Sequence, residues 1–163
     1  MKLKGWLLLL FILILIAAGG AFGVKEVLVL QMVNTDRSRK LNILTAPASQ
    51  FTLSYIHSIY LQPATEEFEV GEGAEFILRG VRTKSPGVAA YYGFEDGREY
   101  YSIHRRMKSL LLRLGMSTVQ TISIGNQKVP LEELGEKGDR VEVSLVRMKL
   151  GQYLLSHLKK ENG

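Results

Sequence analysis

Past Lys25 the hydrophobic and polar positions change every few residues, whereas the stretch before it is apolar almost without a break. The clearest pattern runs from Phe51 to Leu61. There Phe51, Leu53, Tyr55, His57, Ile59 and Leu61 share one side of a period of two, and Thr52, Ser54, Ser58 and Tyr60 take the other. Successive side chains of an extended strand point to opposite faces, so this spacing predicts a half-buried strand. Gln62-Pro63-Ala64 interrupts it. Glu66, Phe68 and Val70 then alternate with Glu67 and Glu69, which predicts a return strand and a hairpin. Gly71-Glu72-Gly73 turns the chain again into a strand over Phe76 to Thr83. Ser85-Pro86-Gly87 is expected to end that strand as a loop, because proline has no N–H to give a ladder.

The same reading extends to both sides. Glu26 to Asn34 has the length of a strand, although it equally fits an extension of the apolar segment before it. With the polar stretch Thr35 to Lys40 and the pattern resuming over Leu41 to Thr45, it predicts a first hairpin. Asp96-Gly97 is a turn signal ahead of a short strand over Arg98 to His104. Ser109 to Gly115 fits two periods: Met107, Leu110, Leu111 and Leu114 suit a helix, while Leu110, Leu112 and Leu114 suit a strand with Arg113 facing out. Turn residues on both flanks leave little length for a stable helix, so a strand is expected. Val119 to Ile124, the turn Gly125-Asn126 and Lys128 to Leu131 predict another hairpin. Arg140 to Met148 is the last strand, with Val141, Val143 and Leu145 inward, and Gln152 to Lys160 is expected to form one or two helical turns. Many short strands at this spacing predict an all-β fold, a small antiparallel β-sandwich or open barrel following one N-terminal transmembrane helix. The expected division is a membrane anchor or signal segment over 1–25, an extracytoplasmic β domain over 26–149, and a short C-terminal tail of helical pattern over 150–163.

The uncharged run Trp6 to Val24 has 19 residues. That is close to the roughly 20 that a helix needs to cross a hydrocarbon core. Small residues around Gly19 and Ala21 also describe a signal cleavage site, but the run continues through Phe22 to Val24 without a polar end, so an uncleaved anchor is expected. Lys2 and Lys4 precede the run, which places the N-terminus inside and the domain outside the cytoplasmic membrane as a single-pass protein. Arg37, Arg39 and Lys40, nearby on the other flank, pull the other way.

Charge and composition narrow the chemistry. The chain has no cysteine, which excludes disulfides, thiolate metal sites and a cysteine nucleophile. Its net charge of +5 is spread along the chain, without the basic run and interleaved aromatics of a nucleic-acid groove, and suits a position beside anionic lipid. No nucleic-acid partner, metal or cofactor is expected.

Phe51-Thr52-Leu53-Ser54-Tyr55-Ile56-His57-Ser58-Ile59, with Pro63 and Glu66 after it, resembles a bacterial domain-of-unknown-function family, number 1850. The likeness continues through Ser85-x-Gly87, Arg105-Arg106, Leu112-Arg113-Leu114-Gly115 and Leu131 to Leu134, and so spans about Leu41 to Met148. Tyr60, where an acidic residue is common, and Ala89, where a second glycine would complete the loop, depart from the pattern. The resemblance implies an accessory role beside TRAP-type transporters of the TAXI class, with the transporter or its solute-binding protein as partner.

The residues themselves offer a few candidates. His57 and Ser58 are adjacent, yet neighbours on a strand face opposite ways, so a nucleophile–base pair is not expected and no catalytic residue is assigned. His57 and Glu66 fall on the apolar side of the expected hairpin. They form either a buried pair that fixes register or part of a ligand site. Arg105 and Arg113 suit a carboxylate, because guanidinium presents a planar fork of donors. Ser85 and Gly87 are candidates for backbone contact with an anion. The ligand-binding candidates are thus His57, Ser58, Glu66, Ser85, Gly87, Arg105 and Arg113. A site using His57 should be pH-sensitive, since a protonated imidazole holds an anion best. The function expected is a non-catalytic, membrane-anchored binding or accessory module in organic-acid transport. Its rival is an envelope scaffold without a small-molecule ligand.

Overall fold

The computed structural model describes Trp6, Leu10 and residues 25–95, 97–115 and 120–161, with side chains as far as His157. Most of the expected membrane segment, Asp96 of the expected turn and Val119 of the expected strand lie outside the described residues. Among the described residues no helix is long and apolar enough to cross a membrane.

The strands are β1 (Glu26–Asn34), β2 (Lys40–Thr45), β3 (Gln50–Ile56), β4 (Pro63–Val70), β5 (Phe76–Arg82), β6 (Tyr100–Met107), β7 (Ser109–Arg113), β8 (Thr121–Ile124), β9 (Gln127–Pro130) and β10 (Arg140–Lys149). Two α-helices, α1 (Pro86–Tyr91) and α2 (Leu150–Glu161), and a 3-10 turn at Leu131–Leu134 complete the described elements. The strands form two sheets, ordered β2-β1-β10-β7 and β6-β5-β4-β3-β8-β9, and every pairing is antiparallel. The all-β expectation is met, and the two sheets share one core.

That core follows from the period-two patterning. Leu28, Leu30 and Met32 of β1, with Val141, Val143 and Leu145 of β10, meet Phe51, Leu53, Phe68, Phe76 and Leu78 from the larger sheet. Phe51 stacks on Phe68 at 4.8 Å between centroids, and Phe76 stands edge-on to both at 5.5 Å. This places three fully buried rings at the centre, where each ring buries a large apolar area and gains from its offset or edge contacts. Helix α2 packs on the other side of the small sheet, against β1, β2 and β10, and the Asn42 amide donates to Ser156 Oγ at 3.2 Å. The tail is therefore a three-turn helix, longer than the one or two turns expected, because a docked face adds the tertiary stabilisation that isolated turns lack.

The far end of the fold is held by Asn34, fully buried at the end of β1. Its Nδ2 donates to the Leu134 carbonyl at 3.0 Å and to Asp139 Oδ2 at 2.9 Å. Its Oδ1 accepts the Asp36 and Arg37 N–H groups, both at 2.9 Å. Arg37 pairs with Asp139 and Glu136, each at 2.6 Å, and Arg140 pairs with Asp36 at 2.6 Å. The paired arginines hold the Asp36 and Asp139 carboxyls below the ordinary carboxylate range, through Arg140 for Asp36 and through the Glu136 N–H, Asn34 and Arg37 for Asp139.

Three expectations need correction. The strand from Phe51 stops at Ile56, so His57, Ile59 and Leu61 do not share its face. The His57 N–H bonds the Gln62 carbonyl and the Leu61 N–H bonds the His57 carbonyl, both at 2.8 Å, with Leu61 in the left-handed region at φ 51°. This turn leaves Ile59 and Leu61 exposed. Ser85-Pro86-Gly87 opens α1 and is not an open loop: Ser85 Oγ accepts the Val88 N–H at 3.3 Å, and Pro86, at the helix start, loses nothing by lacking an N–H. Leu131 begins the 3-10 turn instead of ending β9. The strand reading of Ser109 to Arg113 is correct, with Leu110 and Leu112 against the core and Arg113 exposed.

Candidate functional site

Edge strands β6 and β7 belong to different sheets but are joined through Lys108 alone, so the chain turns the corner of the fold between them. A cavity of about 390 Å³ opens at that corner. Leu78 of β5, Arg105 and Met107 of β6 and Leu110 of β7 line it on one side. Tyr55 and Ile56 of β3, Glu66 of β4, His57 and Ser58 of the turn, Tyr91 at the end of α1, Tyr92 just after it, and Gln120 complete the wall. Its volume lies in the range of small-ligand sites, roughly 300–1,000 Å³, and like them it sets a few polar groups among apolar and aromatic ones.

Register explains why Glu66 points inward. Phe51 pairs with Phe68, Leu53 with Glu66 and Tyr55 with Ala64, so all six lie on the core face of the larger sheet. Glu66 meets the tyrosines there. Its Oε1 accepts hydrogen bonds from the Tyr92 hydroxyl and, at 3.2 Å, from the Tyr55 hydroxyl, and the two hydroxyls are 2.6 Å apart. Its Oε2 receives no hydrogen bond from the described residues. Burial pushes the Glu66 carboxyl above the ordinary range, although Tyr92, Tyr55 and the charge of Arg105 all pull it down. Burial and the Glu66 charge in turn push the Tyr55 and Tyr92 hydroxyls up.

His57 is buried, 5% exposed, among three tyrosines: Tyr91 edge-on at 4.8 Å, Tyr60 at 5.3 Å and Tyr55 at 6.5 Å. Its Nδ1 accepts the Ile59 N–H at 3.3 Å, which assigns the proton of the neutral ring to Nε2. The contact expected between His57 and Glu66 is not formed. Glu66 lies opposite Leu53, four residues before His57, and its hydrogen bonds come from the Tyr55 and Tyr92 hydroxyls.

Arg105 is exposed and lies opposite Leu78, on the inner side of the larger sheet. It forms no ion pair or hydrogen bond among the described residues, yet its charge reaches Glu66. Gln120 Oε1 is a buried acceptor that also lacks a partner among the described residues. A larger cavity of about 570 Å³, between Pro47 and Arg106, offers a poorer charge for a ligand, since Arg106 already pairs with Glu75 at 3.3 Å.

The structure therefore brings together four of the seven sequence candidates, His57, Ser58, Glu66 and Arg105. Ser58 is exposed, and His57 Nδ1 accepts the Ile59 N–H. Ser85 is spent on the helix cap. Gly87 lies under Tyr60, where an added Cβ would stand 2.5 Å from the ring, so the residue permits that close approach. Arg113 faces away from Leu110 on β7, opposite Arg140, and its charge acts on Asp36. Sequence reasoning missed Tyr91, Tyr92 and Gln120. The adjacent tyrosines were visible as an aromatic pair, but nothing local tied them to Glu66. Among the described residues no group of three or more potential metal ligands comes together.

No curated protein and no solved structure matches the chain. Residues 51–131, which carry every side chain lining the cavity, match the model of a family described as Domain of unknown function (DUF1850), and the resemblance read from Phe51 to Ile59 holds over that span.

Proposed function

We propose that this chain is a non-catalytic binding module, anchored by its N-terminal segment on the outer face of the cytoplasmic membrane, whose cavity takes a small organic carboxylate for a TRAP-type transporter. The observation that carries the binding role is Arg105: a permanent cation on the cavity wall, without a carboxylate partner among the described residues, beside a buried histidine. An arginine fork is the usual complement of a carboxylate, and the cavity's volume suits a molecule of a few carbons. The membrane placement rests on Lys2, Lys4 and the Trp6 to Val24 run. The transporter link rests on the family resemblance.

Calorimetry on the full chain in detergent, with short mono- and dicarboxylates, tests the binding role. Saturable heat is expected, with Arg105→Lys weakening affinity about tenfold, because lysine keeps the charge and loses the bidentate geometry. Absence of heat with every acid would remove the binding role and favour a scaffold.

A further inference from the structure

We infer that helix α2 is a second membrane contact, lying in the headgroup region of the bilayer with Leu154 and Leu155 turned into the lipid. The inference rests on the membrane anchoring proposed above and adds how the domain sits on its bilayer. Its first support is where the chain enters the fold. The Leu150 N–H donates to the Lys25 carbonyl at 2.8 Å, so α2 starts at the residue that follows the apolar run Trp6 to Val24. At a rise of about 1.5 Å per residue, Leu154 and Leu155 lie only about 6–8 Å along the helix from that junction. A helix bonded at its first residue to the end of a membrane segment is kept at the bilayer surface. A contact too small to hold a free protein there becomes effective through the tether.

The second support is the face that the fold leaves bare. Tyr153 and Ser156 are half-buried against the small sheet, where the Asn42 amide donates to Ser156 Oγ. The helical period puts Leu154 and Leu155 on the opposite side, and they are 45% and 62% exposed. Leu44, two residues from Asn42 and so on the same face of β2, is 50% exposed. Charge favours the same side. Lys25 and Lys149 are exposed at the junction and form no ion pair among the described residues, which suits anionic headgroups, although Glu26, opposite Lys149 in the ladder, offsets one of them. With α2 on the bilayer, the small sheet lies between the lipid and the core. The larger sheet, which carries most of the cavity wall, then faces water.

The chain has no cysteine and a single tryptophan, Trp6, so one introduced label and one native fluorophore report on α2 and on the anchor separately. The full chain is reconstituted in vesicles of phosphatidylcholine and phosphatidylglycerol, part of the phosphatidylcholine carrying a nitroxide quencher at the top of its acyl chains. Leu155→Cys and Ile59→Cys, each labelled with the same environment-sensitive fluorophore, compare two exposed apolar positions, one on α2 and one on the turn after β3. Quenching of the label at 155 is expected, with the label at 59 unquenched. Leu154→Gln in the chain labelled at 155 should lose most of that quenching while melting as its parent does. Quenched Trp6 with an unquenched label at 155 overturns this inference and leaves the anchor standing, and quenching at 59 overturns it too. Protection of the 155 label from aqueous iodide that rises with protein concentration, without quenching by lipid, assigns the face to a second copy and equally overturns it. An unquenched Trp6 overturns the anchor and this inference together.

Discussion

Tyr92→Phe removes one hydroxyl and leaves the ring in place, so it isolates what the tyrosine contributes to the Glu66 cluster. Wild-type Glu66 is raised by burial, and an acid so raised contributes stability that is fully present below its unfolded-state value and is lost as pH rises through its folded value. The Tyr92 hydroxyl opposes that rise by donating to Oε1. Without it Glu66 moves further up, so the variant should lose more stability than the wild type as pH increases. At a pH above the folded value of Glu66 the missing bond is to a charged group, and its loss should cost about 1.5–3 kcal/mol. At about pH 4 the carboxyl is protonated in both proteins, and the loss falls to about 0.5–1.5 kcal/mol. The Asp36 and Asp139 ion pairs also weaken in acid but are common to both proteins and cancel in the difference. Urea unfolding of the full chain at the two pH values measures it. A Tyr92→Phe deficit that is the same at both ends of the Glu66 titration, or absent at the alkaline end, would refute the account of Glu66 as a half-buried carboxylate held by tyrosine donors. Glu66→Gln keeps an acceptor on the tyrosines, so Tyr92→Phe in that background should lose its pH dependence.

Two further outcomes follow from the far end of the fold. Asn34→Ala leaves the Leu134 carbonyl and two turn N–H groups without their partner, and since the N–H groups can reach water the expected cost is about 2–4 kcal/mol by thermal or chemical unfolding; a change under about 0.5 kcal/mol would mean the turn re-forms without it. Asp139→Asn removes a carboxyl whose folded value is depressed, a contribution present above the ordinary value of about 3.9 and lost as pH falls through the folded one. The variant should be less stable than the wild type at neutral pH and should lose less on acidification, and parallel stability curves below about pH 5 would contradict this.

The sheets were legible because one face of nearly every strand is buried. A period of two with Phe51, Leu53, Phe68 and Val70 inward leaves no other register, since slipping by one residue would expose all four. The same logic overran at His57, where the apolar pattern continued past the turn: Ile59 and Leu61 look like strand residues but are held out by a backbone hydrogen bond that has no sequence period. Ser85-Pro86 was readable as a helix start, yet proline's exclusion from a ladder weighed more heavily than its suitability for a first helical turn. At the site, His57, Glu66 and Arg105 were found through residue type. Tyr92 and Gln120 were not, because they reach the cavity from segments far apart in the chain, and a propensity that acts over a few neighbours carries no such information.

The central claim is that Arg105 and the polar wall beside it receive a carboxylate. Nitrogen NMR of the arginine side chains, recorded on the full chain in detergent while a short carboxylate is added, tests it most directly. The account predicts a saturable shift of the Arg105 Nε–H resonance together with the Gln120 side-chain amide, with the Arg113 resonance unmoved. Saturable binding that shifts Arg113 or Arg106 and leaves Arg105 and Gln120 in place would contradict it.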